Sequence, residues 1–130
     1  MYGLGLIIVI LIVILSVYYT HNGMNLVHNI IPSLHISTAE ARSQRFGLIL
    51  DVRTPEERTQ LGYYPESIPM SIYDLQKGIA LDISNKNTPI LIYSNGDSRA
   101  EIAATIIYRM GYQNVRYIST SYLSLLPGSS

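Results

Sequence analysis

Pro89-Ile90-Leu91-Ile92-Tyr93-Ser94-Asn95-Gly96-Asp97-Ser98-Arg99, continued by Ala100 to Met110, is the stretch that decides the fold. Pro89 to Tyr93 is a short β-rich run, Ser94 to Arg99 turns sharply through small polar residues, and Ala100 to Met110 has helical periodicity. A loop that enters a helix this way makes an anion cradle. Free backbone N–H groups and the positive end of the helix dipole point at whatever sits over the loop. The candidate site is therefore Ser94, Asn95, Gly96, Asp97, Ser98 and Arg99. It opens on a serine in a chain that has no cysteine.

Upstream, Leu48-Ile49-Leu50-Asp51-Val52-Arg53-Thr54-Pro55-Glu56-Glu57 reads as a buried strand followed by a short acidic helix, and Gly62 to Met70 carries Tyr63-Tyr64-Pro65-Glu66-Ser67-Ile68-Pro69. With the loop, these segments resemble the rhodanese-like sulfurtransferases. That family's loop reads Cys-x-x-Gly-x-Arg, its strand ends in Asp-Val-Arg, and a Gly-His-Ile-Pro-Gly-Ala-Ile segment follows. The resemblance covers roughly Ile36 to Leu126. It implies a single-domain member with Ser94 on the cysteine position and Arg99 on the arginine position.

The departures bear on chemistry. Sulfur transfer in this family runs through a persulfide, which needs a polarizable thiolate, and a serine hydroxyl cannot carry that sulfur. A hydroxyl nucleophile needs a neighbouring base, and His21, His28 and His35 all precede or open the domain, so no triad follows from spacing. Asp97 stands where the family has glycine, with Gly96 one position early. Two like charges about 5 Å apart at an effective dielectric of about 20 repel by roughly 3 kcal/mol, so Asp97 is expected to oppose a docking anion. Ser119-Thr120-Ser121 also replaces the family's Glu-Gly-Gly.

Strands are expected near Leu34 to Ile36, Leu48 to Val52, Ser67 to Ile72, Ile90 to Tyr93 and Val115 to Ile118. This is an α/β domain, a mainly parallel five-stranded sheet with helices on both faces. Ligands gather at strand C-termini in such sheets, which puts Asp51 and Arg53 on the rim beside the loop. For this pair a structural ion-pair network is the favoured reading over ligand contact. Ser37 with Glu40, Thr54 with Glu57 and Ser98 with Glu101 each match a capping box. The helix from Arg99 to Met110 is expected to bury Ile102, Ala103, Ile106, Ile107 and Met110 and to stop at Gly111.

The chain divides into an anchor at 1–20, a tether at 21–33 and the domain at 34–130. Gly3 to Val17 is an apolar run with no charged residue, and Tyr2 and Tyr18-Tyr19 flank it. A helix from Tyr2 to Tyr19 spans about 27 Å, close to the ~30 Å hydrocarbon core, so a single transmembrane helix is expected. A cleaved signal peptide is the rival reading. The absent basic n-region and the bulky Tyr18 and Tyr19 speak against it. The first basic residue is Arg42, so orientation is set weakly, with a lean toward a cytosolic domain. His21 and His28 could share a helix face, yet they lack a third ligand, and no metal or cofactor is expected.

Nine acids balance nine bases, and nothing recommends nucleic acid as a partner. The expected partners are the lipid bilayer, through residues 2–19, and a protein not identified by the sequence. Function reads as a membrane-anchored docking or scaffold module without sulfurtransferase activity. The alternatives are an oxyanion sensor, a residual sulfurtransferase, or a hydrolase with Ser94 as nucleophile.

Overall fold

The computed structural model describes residues 2–28, 31–76 and 83–128, and within the first helix the side chains of 3–18 only. The chain separates into two units, Met1–Pro32 and Ser33–Ser130. The first unit contains one helix, α1 (Tyr2–His28), which runs through most of the expected tether; Asn29 and Ile30 of that tether lie outside the described residues. Every described side chain of α1 is exposed. Among the described residues, no helix is long and apolar enough to cross a membrane. The expected transmembrane span is thus not established by the fold.

In the second unit, α2 (Thr38–Ser43) precedes β1 (Leu48–Asp51), α3 (Pro55–Leu61), β2 (Ile68–Pro69) and α4 (Ile72–Gln76). Then come β3 (Ile90–Tyr93), α5 (Arg99–Arg109), β4 (Val115–Tyr117) and a 3-10 turn at Tyr122–Leu125. The sheet is parallel throughout, in the order β2-β1-β3-β4. Among the described residues it has four strands rather than five. Around His35 the backbone makes a single bridge to Tyr117, with Ile36 N–H donating to Tyr117 O and Tyr117 N–H to Leu34 O, both at 3.0 Å. Ser37 stops this stretch from extending, because its side chain accepts the Glu40 amide and starts α2. The expected strand at Ser67 to Ile72 shrinks to two residues, since Pro69 has no N–H for the ladder and α4 begins at Ile72.

Pleating sends Ile49, Asp51, Leu91 and Tyr93 to one face and Leu48, Leu50, Ile90 and Ile92 to the other. On the first, Leu91, Tyr93 and Ile118 pack with Ile36, Ala41 and Leu125, so α2 and the 3-10 turn cover it. The second is left to α5, which packs on β3 and β4. The buried stripe of α5 is Ala100, Ala103, Ala104 and Ile107, whereas Ile102 is exposed and Ile106 and Met110 are half-buried. The stripe follows i, i+3, i+4, i+7 spacing through three alanines, so small side chains rather than the larger Ile102 and Ile106 face the sheet.

Register sets Asp51 of β1 opposite Tyr93 of β3, so the two strands end together. There Asp51 is fully buried, and its carboxylate is met on both oxygens. Oδ1 accepts the Arg53 amide at 3.0 Å and Arg53 Nε at 2.9 Å. Oδ2 accepts Arg53 Nη2 at 2.8 Å, Arg58 Nη1 at 3.0 Å and the Tyr93 hydroxyl at 3.2 Å. Burial alone would raise the carboxyl's pKa; the hydrogen bonds from Arg53 and Arg58 outweigh it and the net direction is down. Burial raises the Tyr93 hydroxyl pKa, against the hydrogen bond it shares with Ser67 and the one it accepts from the Tyr64 amide. Losing one partner of such a buried pair costs about 3–5 kcal/mol, because the other charge stays behind uncompensated.

Candidate functional site: a loop filled from within

Gly96 gives the loop after β3 its sharp turn. It has φ +85°, which an L side chain rarely adopts, and a Cβ there would stand 3.3 Å from Ser119 O. The loop is thereby folded against the Ser119-Thr120 segment, and the side chains of Ser94 and Asp97 meet. Ser94 Oγ donates to Asp97 Oδ1 at 3.0 Å. The same oxygen accepts the Arg99 amide and Arg99 Nε, each at 3.0 Å, and Asp97 Oδ2 accepts Arg99 Nη2 at 2.8 Å. Asp97, not Ser98, caps the helix: Ser98 has α-helical φ and ψ and makes no side-chain capping bond, so the expected Ser98–Glu101 box does not form.

Thr54 and Glu57 do form a full capping box at the start of α3. This box also aims Glu57 at the loop. Glu57 Oε1 and Oε2 accept Arg99 Nη1 at 2.6 Å and Nη2 at 2.8 Å, a bidentate pair, and Oε2 accepts Asn95 Nδ2 at 2.6 Å. Arg53 Nη1 in turn donates to Asn95 Oδ1 at 3.1 Å. The rim pair Asp51 and Arg53 is therefore tied to the loop through Asn95. Arg53 and Ser94 are both almost fully buried.

The Arg99 side-chain hydrogen bonds hold Glu57 down to about 2, against a smaller upward push from burial. Asp97 is likewise lowered to about 2, first by the Arg99 side chain and then, past opposing burial, by the Arg99 amide and Ser94. Both carboxylates in turn raise the Arg99 guanidinium. The expected repulsion between Asp97 and a docked anion takes a different form here. Asp97 sits on the donors that such an anion would use, with its charge already matched. Three carboxylates (Asp51, Glu57, Asp97) face three guanidiniums (Arg53, Arg58, Arg99), so the cluster has no excess positive charge.

Among the described residues no histidine partners Ser94. His35 Nε2 instead lies 2.6 Å from Ser119 Oγ, and its ring meets Tyr117 edge-on. His21 and His28 fall in α1 with side chains outside the described residues. Among the described residues no group of three or more His, Asp and Glu side chains could hold a metal ion. Sequence reasoning placed the loop and rim residues but missed Glu57 as the partner of Arg99, and Arg58 and Tyr93 as partners of Asp51. Glu57 was fully accounted for as a helix cap, and nothing local signals its second role.

The family model described as a rhodanese-like domain matches residues 35–125. The chain belongs to this family. This rhodanese-like domain is similar to a human single-domain sulfurtransferase, with a TM-score of 0.62 at 18% identity over 76% of this chain and 100% of that one. A Saccharomyces cerevisiae single-domain sulfurtransferase gives 0.58 at 15% identity over 75% of this chain and 91% of its own. A rhodanese-related protein of Thermoplasma volcanium gives 0.58 at 20% over 74% and 94%. At such identities the likeness is one of fold. No curated protein matches the chain in sequence.

The depressed carboxyls set an acid limit on the rhodanese-like domain. Folded values below the ordinary 4.5 and 3.8 mean that this contribution to stability is complete above about pH 5 and is lost as pH falls toward about 2. Melting temperature in the wild-type protein is expected to fall across that window. Arg99→Ala is expected to melt lower at pH 7 and to lose less on acidification. Parallel acid profiles, recorded by circular dichroism, would show that Arg99 does not hold these carboxyls down.

Proposed function

We propose that this rhodanese-like domain does not transfer sulfur and acts as a docking or scaffold module attached to a membrane through α1. The observation that carries the first part is the closure of the loop. Ser94 supplies oxygen where a persulfide needs sulfur, and Asp97 takes its hydroxyl proton as a hydrogen bond while occupying the Arg99 amide and guanidinium. Two losses are thus combined at one site, the nucleophile and the anion seat. A balanced set of charges gives thiosulfate no electrostatic reason to displace Asp97.

The membrane part rests on α1. Its residues from Leu4 to Val17 are apolar on every side apart from Gly5 and Ser16, and the described side chains are exposed all round. A protein groove covers one side of a helix, whereas lipid covers all of them.

Purified protein mixed with thiosulfate and cyanide is expected to form thiocyanate no faster than a heat-killed control. Ser94→Cys alone is expected to gain only weak turnover, because Asp97 still fills the seat. Ser94→Cys with Asp97→Gly is expected to exceed it by about tenfold or more, the factor that about 1.4 kcal/mol of relieved repulsion supplies. Wild-type turnover would refute the proposal, and equal rates in the two variants would show that Asp97 is irrelevant. For the membrane part, the full chain is expected to float with liposomes and to resist alkaline carbonate extraction. Release of the protein into the carbonate supernatant would exclude the attachment.

A further inference from the structure

Away from the Ser94 loop, a cleft of about 520 Å³ opens on the face covered by α2 and the 3-10 turn. Its floor is apolar, built from Phe46, Ile49, Tyr64, Leu91 and Leu125. Its mouth is charged by Arg42, Arg45 and Glu66. A second cleft of about 310 Å³ shares Gln44, Arg45 and Phe46 with it and adds Arg116. The two form one groove with three guanidiniums against one carboxylate. Arg42 is held in place, since Nη1 donates to Ser124 O at 2.7 Å, and Arg116 Nη1 donates to its neighbour's carbonyl, Val115 O. Among the described residues Arg45 makes no hydrogen bond or ion pair, and it stands exposed where the clefts meet.

The contrast with the loop is informative. There every guanidinium is matched by a carboxylate of the same chain; here three guanidiniums stand against the one carboxylate of Glu66. We infer that this groove is a docking site for an acidic segment of a partner protein, with an apolar side chain seated on Phe46, Tyr64 and Leu125 and carboxylates meeting Arg45 and Arg116. A pocket with an apolar floor and few, unmatched polar groups is the usual form of a recognition site, and the charge excess selects the sign of the occupant. Two connected clefts suit an extended segment better than a compact small molecule. A second copy of this chain paired about a two-fold axis would bring the same basic face against itself. The inference deepens the docking reading and rests on it.

The test uses the full chain in detergent micelles and a fluorescein-labelled acidic peptide with a leucine and a phenylalanine at its centre. Its counterpart with lysines in place of the acids serves as control. Saturable anisotropy with the acidic peptide alone, weakening as salt is raised, is expected. Arg45→Glu and Arg116→Glu are each expected to weaken it by about tenfold or more. Arg45 is exposed, so its variant should melt as the wild type does, and that melt guards against misfolding. Equal binding of the lysine peptide, unchanged affinity in Arg45→Glu, no saturation at millimolar peptide, or a dimer that buries the groove would each overturn the inference. Failure here while the protein stays inert to thiosulfate removes the groove and leaves the non-catalytic reading standing. Thiosulfate turnover removes that reading whatever the peptide does.

Discussion

One buried negative charge organises the loop end of this domain. Asp51 lies at the C-terminal end of β1 with no exposure to water, and an isolated carboxylate there would be untenable. Arg53, Arg58 and Tyr93 answer it from a loop, a helix and the neighbouring strand. Each is then fixed in direction, and the fixing propagates. Arg53 holds Asn95, Asn95 holds Glu57, Glu57 holds Arg99, and Arg99 holds Asp97, which receives the hydroxyl of Ser94. The chain of bonds runs unbroken from the core of the sheet to the first residue of the loop.

That continuity explains how a rhodanese-like loop keeps its shape without its cysteine. In a working anion seat the ligand supplies the negative charge that satisfies the helix start and the arginine. Here Asp97 supplies it, so the loop is complete without a ligand. The capping function follows from the same atom, since the Arg99 amide at the start of α5 donates to Asp97 Oδ1. The helix cap and the internal partner of Arg99 thus come from one side chain. The groove around Arg45 shows the opposite condition, with guanidiniums that outnumber its one carboxylate, Glu66. The proposed contact role rests on that contrast between a loop closed by its own carboxylate and a basic, apolar-floored groove.

The sequence carried the local physics well and the long-range pairing poorly. Thr54 and Glu57 are three residues apart, and their capping box was legible; Glu57 and Arg99 are 42 apart, and no spacing rule connects them. Ser98 looked like the cap because Ser-x-x-Glu is a local pattern, but Asp97 offers a charged acceptor one position earlier. The strand-loop-helix order and the rim position of Asp51 and Arg53 followed from apolar runs. The fifth strand failed because Ser37 ends the extended backbone after Ile36. The α5 stripe was misjudged because bulk was weighted over fit, while Ala100, Ala103 and Ala104 sit where the helix faces the sheet.

The claim that the seat is filled from within can be tested most directly by titrating the ¹⁵N-labelled protein with thiosulfate and following the backbone amide shifts of residues 94–99. Internal occupancy by Asp97 predicts no saturable movement at Gly96, Ser98 or Arg99 in the wild type, and movement of those same amides in Asp97→Gly. Saturable shifts at these amides in the wild type would contradict it, since they would show an anion entering the seat with Asp97 still present.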